Sequence, residues 1–217
     1  MVKYMTPNEL DKFLSNITMQ YTERESKVLK EYLYQGYDIN ENLRCTNNTS
    51  HACTKLVNDL DKIFRVVEIP KAFALYRGVQ SPLRYAINAS VCDHGYCSTT
   101  KSFAIGRHFM TRDDQDEKCC VFHIHFQQHT KIRMLPVTYA EGATHAHEQE
   151  IVFPRDTRLF VITDEHLLQD IARACNYELG NFQYDDRFSS EPNMKQFPFK
   201  TFLINETNVI PVTINQS

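Results

Sequence analysis

The segment of this chain best placed to do chemistry is Glu148-Gln149-Glu150, at the head of the apolar run Ile151-Val152-Phe153-Pro154. On a β-strand, residues i and i+2 project from one face, roughly 6–7 Å apart along the backbone. That spacing sends Glu148 and Glu150 toward the same cleft and turns Gln149 away. A close carboxylate pair can stabilise a developing cation and accept a proton. It equally suits a solvated strand edge, so the rest of the chain must decide. Two further segments matter. Leu75-Tyr76-Arg77-Gly78 puts an arginine at a strand end before a turn. Gly95-Tyr96-Cys97-Ser98-Thr99-Thr100 puts hydroxyls at a strand end, ahead of a helix bearing Phe103. Taken singly, these read as a surface arginine and a helix N-cap.

The elements that must position these residues can be read from the pattern. Thr6-Pro7-Asn8-Glu9 is a capping box with proline at the first helical position, and Leu10, Phe13, Leu14 and Ile17 follow at helical spacing. A second helix is expected from about Thr22 to Gln35, with Val28, Leu29, Tyr32 and Leu33 on one side. Asp38 to Ser50 is polar and Asn-rich and reads as a loop. His51 to Phe64 reads as a third helix with Leu56, Leu60 and Ile63 inward. After Pro70 the texture changes to short β-like runs: Phe73–Tyr76, Cys119–Phe126, Lys131–Leu135, Ile151–Phe153, Arg158–Ile162 and Phe199–Ile204. Helices are expected at Ser102–Met110 and from Thr163 to about Cys175. Strand runs with helices at their ends indicate an α+β fold.

Composition narrows the function. The chain has 217 residues, a net charge of −3 and no basic block, which disfavours a nonspecific hold on nucleic acid. No apolar stretch approaches the roughly 20 residues that span a bilayer. The N-terminus lacks the apolar core of a secretory signal. Seven cysteines without paired CxxC units fit reduced thiols, and the expected compartment is cytoplasmic. With only six glycines and no GxGxxG or GxxxxGK[ST] pattern, a Rossmann or P-loop nucleotide site is disfavoured. Cys119, Cys120, His123, His125, His145 and His147 have metal-ligand chemistry, but strand-face or loop positions suit them as well. No metal is expected.

Arg77, Ser98 and Glu150, in this order and with these flanks, resemble the R-S-E class of mono-ADP-ribosyltransferases. That class includes arginine-modifying bacterial toxins, vertebrate ecto-enzymes and small transferases of T-even-like phages. The likeness runs over roughly residues 72–162, with a closing strand near Thr201–Ile204, and finds nothing usable in the first seventy residues. It implies an α+β, ADP-ribosyltransferase-like split β-sandwich. Residues 1–70 would form an N-terminal helical lobe and 71–217 an NAD-binding core, together one compact unit.

The resemblance also assigns roles. Arg77, beside Gly78, would hold the NAD pyrophosphate and tie the cleft together, as a guanidinium fork can. Glu150 would stabilise the oxocarbenium-like ribose and orient its 2′-hydroxyl. Ser98 would hydrogen-bond Glu150, with Thr99 and Thr100 completing the cofactor-binding strand end. A Glu at position 148 goes, in that class, with arginine as acceptor, since it can attract the guanidinium and take its proton. Tyr139, in the 135–147 segment, is the candidate substrate-recognition aromatic. Phe103 either stacks on nicotinamide or sits in the core. The implied function is cleavage of NAD at the nicotinamide–ribose bond, with transfer of ADP-ribose to an arginine of a target protein. The alternatives are an NAD glycohydrolase, a non-arginine or nucleic-acid acceptor, and an inactive NAD-binding module. A phage or viral enzyme, or a bacterial effector, acting in a host cytoplasm fits these features.

Overall fold

A computed structural model describes residues 2–46, 51–79, 90–110, 120–137, 149–181, 200–204 and 207–214. The chain opens with helices α1 (Pro7–Thr18), α2 (Glu23–Thr46) and α3 (His51–Ile63). The Thr6/Glu9 capping box forms in both directions and buries Leu10, Leu14 and Ile17. A second box starts α2, where the Glu25 amide donates to Thr22 Oγ1 and the Thr22 amide to Glu25 Oε2. The expected loop after Gln35 is helical as far as Thr46. Its polarity hides a short inward stripe, because Ile39 and Leu43 are buried one turn apart. The buried Asn40 beside them is committed to internal hydrogen bonds.

Strands follow: β1 (Arg65–Glu68), β2 (Phe73–Val79), β3 (Ser90–Asp93), β4 (Cys97–Thr100), β5 (Cys120–Phe126), β6 (Lys131–Pro136), β7 (Glu150–Phe153), β8 (Thr157–Val161), β9 (Glu178–Asn181), β10 (Lys200–Ile204) and β11 (Thr207–Ile214). Helix α4 (Phe103–Met110) follows β4, and α5 (Glu165–Cys175) follows β8. Asp164 caps α5 by accepting from the His166 and Leu167 amides. The strands run in the order β1-β6-β7-β4-β2-β5-β11-β10-β9, with β3 joined through β8 to β11. Pairing is antiparallel except between β5 and β11. The mixed α+β architecture expected from the pattern is the one found.

Strand β11 has no counterpart in the sequence reading, because Pro211 interrupts its apolar run, and a proline ordinarily excludes a central strand. The residue sits where β11 changes neighbours, from β10 at Thr207–Val209 to β8 at Val212–Ile214. Through that handover Pro211 stays in register with His123 of β5, and its carbonyl turns to the other side to accept from the Ile162 amide at 3.0 Å. Strand β2 also runs further than expected. Gly78 pairs with Val121 inside the strand, so the turn placed there is absent.

The helical face packs on the sheet. Leu29, Tyr32, Ile39, Leu43, Leu56 and Leu60 join Tyr96, Leu135 and Val152 in one buried cluster. On β5, His123 and His125 share a face and are buried. His123 lies among the rings of Tyr76, Tyr177 and Phe202, with centroids 5.6, 5.6 and 5.3 Å away, and among the described residues neither ring nitrogen finds a hydrogen-bond partner. His125 Nδ1 is 2.6 Å from the Tyr4 hydroxyl. Burial, with the neighbouring His125, lowers His123 to about 3, and burial lowers His125 to about 4. Since both free values lie near 6.5, the unfolded chain binds more protons below that pH, and stability falls as pH falls from about 6.5 toward 4. At pH 5 each histidine should have removed about 2 kcal/mol. Urea unfolding of His123→Phe, which fits the aromatic surround, should lose roughly half the pH 7-to-5 dependence seen in the parent. An unchanged dependence would show that these histidines do not govern it.

Candidate active site

The sheet is split at the centre of the candidate site. Strand β2 pairs with β5 from Phe73 to Val79, and β4 pairs with β7 from Cys97 to Thr100. Between β2 and β4 only Tyr76 and Thr100 are in register. Beyond that pair, Arg77 spans the gap. Its Nη1 donates to the Ser98 carbonyl at 2.7 Å and its Nη2 to Asp93 Oδ2 at 2.5 Å. The arginine therefore ties β2, β3 and β4 together at the mouth of the split.

Asp93 is the hub of this corner. Besides Arg77 it accepts from Arg44 Nε at 2.8 Å, Arg44 Nη2 at 3.1 Å and the Gly95 amide at 3.0 Å. Burial alone would raise its pKa, but the Arg77 and Arg44 guanidiniums and the Gly95 amide outweigh it and hold the carboxyl below its ordinary value. Two cations around one carboxylate leave an excess positive charge. The Arg44 side chain is 41% exposed, which keeps part of that charge at the surface. Gly95 permits the arrangement, because a Cβ there would meet Asn40 Oδ1 at 3.0 Å and Arg44 Nε at 3.1 Å.

Helix α2 brings a third group to the site. Asn40 Oδ1 accepts from the Tyr96 amide at 2.7 Å, and Asn40 Nδ2 donates to the Tyr32 hydroxyl oxygen at 3.1 Å. The Tyr32 hydroxyl also engages the Ser98 side chain. Burial, then the negative charge of Glu150, pushes the Tyr32 phenol up, so it stays neutral. Gly36 makes room for this ring, since a Cβ would stand 3.1 Å from Tyr32 Cε2. A glycine inside a helix costs about 1 kcal/mol relative to alanine. Here it allows a buried hydroxyl to reach Ser98.

The residues singled out from sequence are distributed unevenly. Glu150 opens β7 directly across from Thr100, and Ser98 lies one diagonal step along the same ladder, opposite Val152. Such diagonal pairs share a face and are in reach of one another. Thr100 Oγ1 accepts from the Ser102 amide. Thr99 alternates to the other face, where its hydroxyl donates to the Ile151 carbonyl at 2.7 Å. Phe103 is half-buried, edge-on to Tyr76 at 5.7 Å. Cys97 is buried beside Ser98, and burial pushes its thiol up to about 11, consistent with packing. Glu148 and Tyr139 lie outside the described residues, as do Cys119, His145 and His147.

The same-face argument for Glu148 and Glu150 requires correction. It assumed a strand through all three residues, but β7 begins only at Glu150. Gln149 has φ of 51°, a left-handed conformation outside the alternating geometry of a strand. Strand periodicity therefore does not place Glu148 beside Glu150.

Sequence reasoning also missed Asp93, Arg44, Asn40 and Tyr32. The Asp-His-Gly turn before Tyr96 was a usable local signal for Asp93. Nothing local joined Asn40 or Arg44 to it, because they lie 49 or more residues away in the chain.

Comparison with known proteins agrees with this architecture. The model of the ADP-ribosyltransferase exoenzyme family matches residues 9–112. That match takes in Arg77 and Ser98 and begins in the helices, where the sequence reading found no resemblance. Among solved structures, the chain is similar to Plx2a, an ADP-ribosyltransferase toxin from Paenibacillus larvae, with TM-score 0.59, 13% identity and 100% of both chains covered. It is similar to the C3 exoenzyme of Clostridium limosum, with TM-score 0.53, 13% identity and 100% and 98% covered. Exoenzyme S from Pseudomonas aeruginosa, in complex with human 14-3-3 protein beta and bound to Carba-NAD, follows at TM-score 0.51 and 13% identity, with 89% and 74% covered. At such identities the likeness establishes the fold. No curated protein matches the chain in sequence.

Proposed function

From the R-S-E class of mono-ADP-ribosyltransferases, which the family match and the shared fold support, we propose that this protein cleaves NAD⁺ and transfers ADP-ribose to an arginine of a target protein. The observation that carries the reading is the corner where Arg77 bridges the split sheet to the Ser98 carbonyl, with Glu150 one diagonal step away on β7. Three residues distant in the chain converge there, and each has a use in the reaction.

The excess positive charge of Arg77, Arg44 and Asp93 attracts a pyrophosphate. Glu150 stands beside the ribose. As the bond from C1′ to the nicotinamide nitrogen breaks, nicotinamide leaves with the electron pair and C1′ gains oxocarbenium character. The carboxylate stabilises that charge and holds the 2′-hydroxyl. Ser98, itself engaged by Tyr32, fixes the Glu150 side chain. A guanidinium nitrogen of the acceptor then attacks C1′, and its proton passes to Glu148. The acceptor assignment rests on the identity of residue 148. A glutamate can draw in a cation and accept its proton, and a glutamine can do neither.

The test is incubation with labelled NAD⁺ and a cell lysate, followed by mass spectrometry of the labelled proteins. Label on arginine, released by hydroxylamine, is the expected result. Glu148→Gln should reduce transfer at least about tenfold while leaving most nicotinamide release intact. Nicotinamide release with no labelled macromolecule would instead make the protein an NAD glycohydrolase. Equal loss of both activities in Glu148→Gln would end the division of labour between the two carboxylates.

A further inference from the structure

A second cluster of reactive side chains lies just outside the proposed reaction site. The Cys92 sulfur, a His94 ring nitrogen and an Asp156 carboxylate oxygen all lie within 4.8 Å of one another. Cys92 belongs to β3, His94 follows it, and Asp156 sits in the turn leading into β8. The β3–β8 ladder holds these parts in register, with Cys92 opposite Arg158 and Asp93 opposite Thr157. His94 Nδ1 is already 2.9 Å from Asp156 Oδ1. Cys92 is a half-buried free thiol, and the other two side chains are exposed.

One sulfur, one imidazole nitrogen and one carboxylate oxygen form a donor set for a borderline-soft divalent ion. Calcium and magnesium prefer all-oxygen sites. Around zinc, ligand bonds of about 2.0–2.3 Å in a tetrahedron put donor atoms roughly 3.3–3.6 Å apart. To reach that spacing the widest pair, at most 4.8 Å apart, closes by up to about 1.5 Å and the His94–Asp156 pair opens by roughly half an ångström, within reach of two exposed side chains. Arg158 stands against the cation, since it lies directly opposite Cys92 on the ladder, but it is a long side chain that can move aside.

We propose that the β3–β8 edge holds a transition-metal site of the zinc class, with Cys92 Sγ, His94 Nδ1 and an Asp156 carboxylate oxygen as ligands and solvent in the fourth position. On binding, the Cys92 thiol gives its proton to solvent and coordinates as thiolate. The open fourth position makes this an exchangeable site. Cys92 and His94 flank Asp93, so an ion there clamps the segment that anchors Arg77 and Arg44.

Cobalt(II) titration of the reduced full chain tests this without reference to activity. The expected result is a thiolate-to-cobalt charge-transfer absorption that saturates at one equivalent per chain and is displaced by zinc. Cys92→Ser should abolish the absorption, and His94→Gln and Asp156→Asn should each weaken binding at least about tenfold. Zinc should raise the melting temperature of the parent but not that of the Cys92→Ser variant. If Cys92→Ser fails to fold, the two exposed-residue variants still decide the matter. Absence of the absorption, its survival in Cys92→Ser, or unchanged affinity in both other variants would overturn the site.

Discussion

Glu150→Gln should reduce nicotinamide release from NAD⁺ by a factor on the order of 10²–10⁴, with transfer to protein falling in parallel. The change preserves size and hydrogen-bonding reach but removes the negative charge that faces the ribose in the proposed reaction. Glu150 stands at the mouth of β7, half-buried, with its own carbonyl accepting from the Val137 amide at 2.9 Å. Its backbone anchor does not depend on the side chain, so the variant should keep the parent's circular dichroism and melting temperature. Nicotinamide release within about tenfold of the parent would remove Glu150 from the centre of the mechanism. The result separates from the Glu148→Gln outcome, where bond cleavage should persist and only transfer should fail.

Asp93→Asn should destabilise the fold by about 3 kcal/mol and also abolish turnover. The carboxylate is 8% exposed and the Arg77 side chain 15%, so an amide leaves a guanidinium facing Arg44 without its counter-charge. The usual cost of breaking a buried pair, roughly 3–5 kcal/mol, is taken at its lower end because water screens the more exposed Arg44. Urea unfolding with an unchanged denaturant slope measures the loss. A change under about 1 kcal/mol would mean that Asp93 is not the anchor described.

The pH dependence carries a separate signature. Asp93 has a depressed folded pKa, so its contribution is complete above the unfolded value of 3.8 and disappears as pH falls through the lower folded value. The histidine effect on β5 begins higher, near 6.5. Acid titration of stability should therefore show two windows, and Asp93→Asn should shrink the lower one, which Glu9 and Glu25 share, while leaving the histidine window unchanged.

How much of this could be read beforehand differs residue by residue. The α1 capping box, the inward positions Leu56, Leu60 and Ile63 of α3, and the runs that became β5 through β8 follow from local rules. A cap needs only residues three apart, and a strand needs only alternation, as at the start of β8, or a short apolar run, as in β5 and β7. The C-terminal half of α2 failed those rules. Its polar residues serve Asp93 on β3, Tyr96 in the turn that follows and Tyr32 within α2, and composition alone reads them as solvent-facing. Strand β11 failed because Pro211 is excluded by a local rule and admitted by a change of neighbour that no local window contains.

The sequence by itself determined which chemical groups the chain has for this reaction: an arginine, a hydroxyl segment and a carboxylate, in that order. It did so because side-chain chemistry is a property of residue type. Only the tertiary structure decided that Asp93 locks Arg77 against Arg44, that Tyr32 reaches Ser98, and that Thr99 turns from Thr100 to bond Ile151. It also showed that the Glu148–Glu150 spacing is interrupted by a left-handed Gln149. These are facts about register and about contacts between residues far apart in the chain. They are set by how helix α2 packs on a split sheet, where burial and charge pairing act together, and no short stretch of residues encodes them alone.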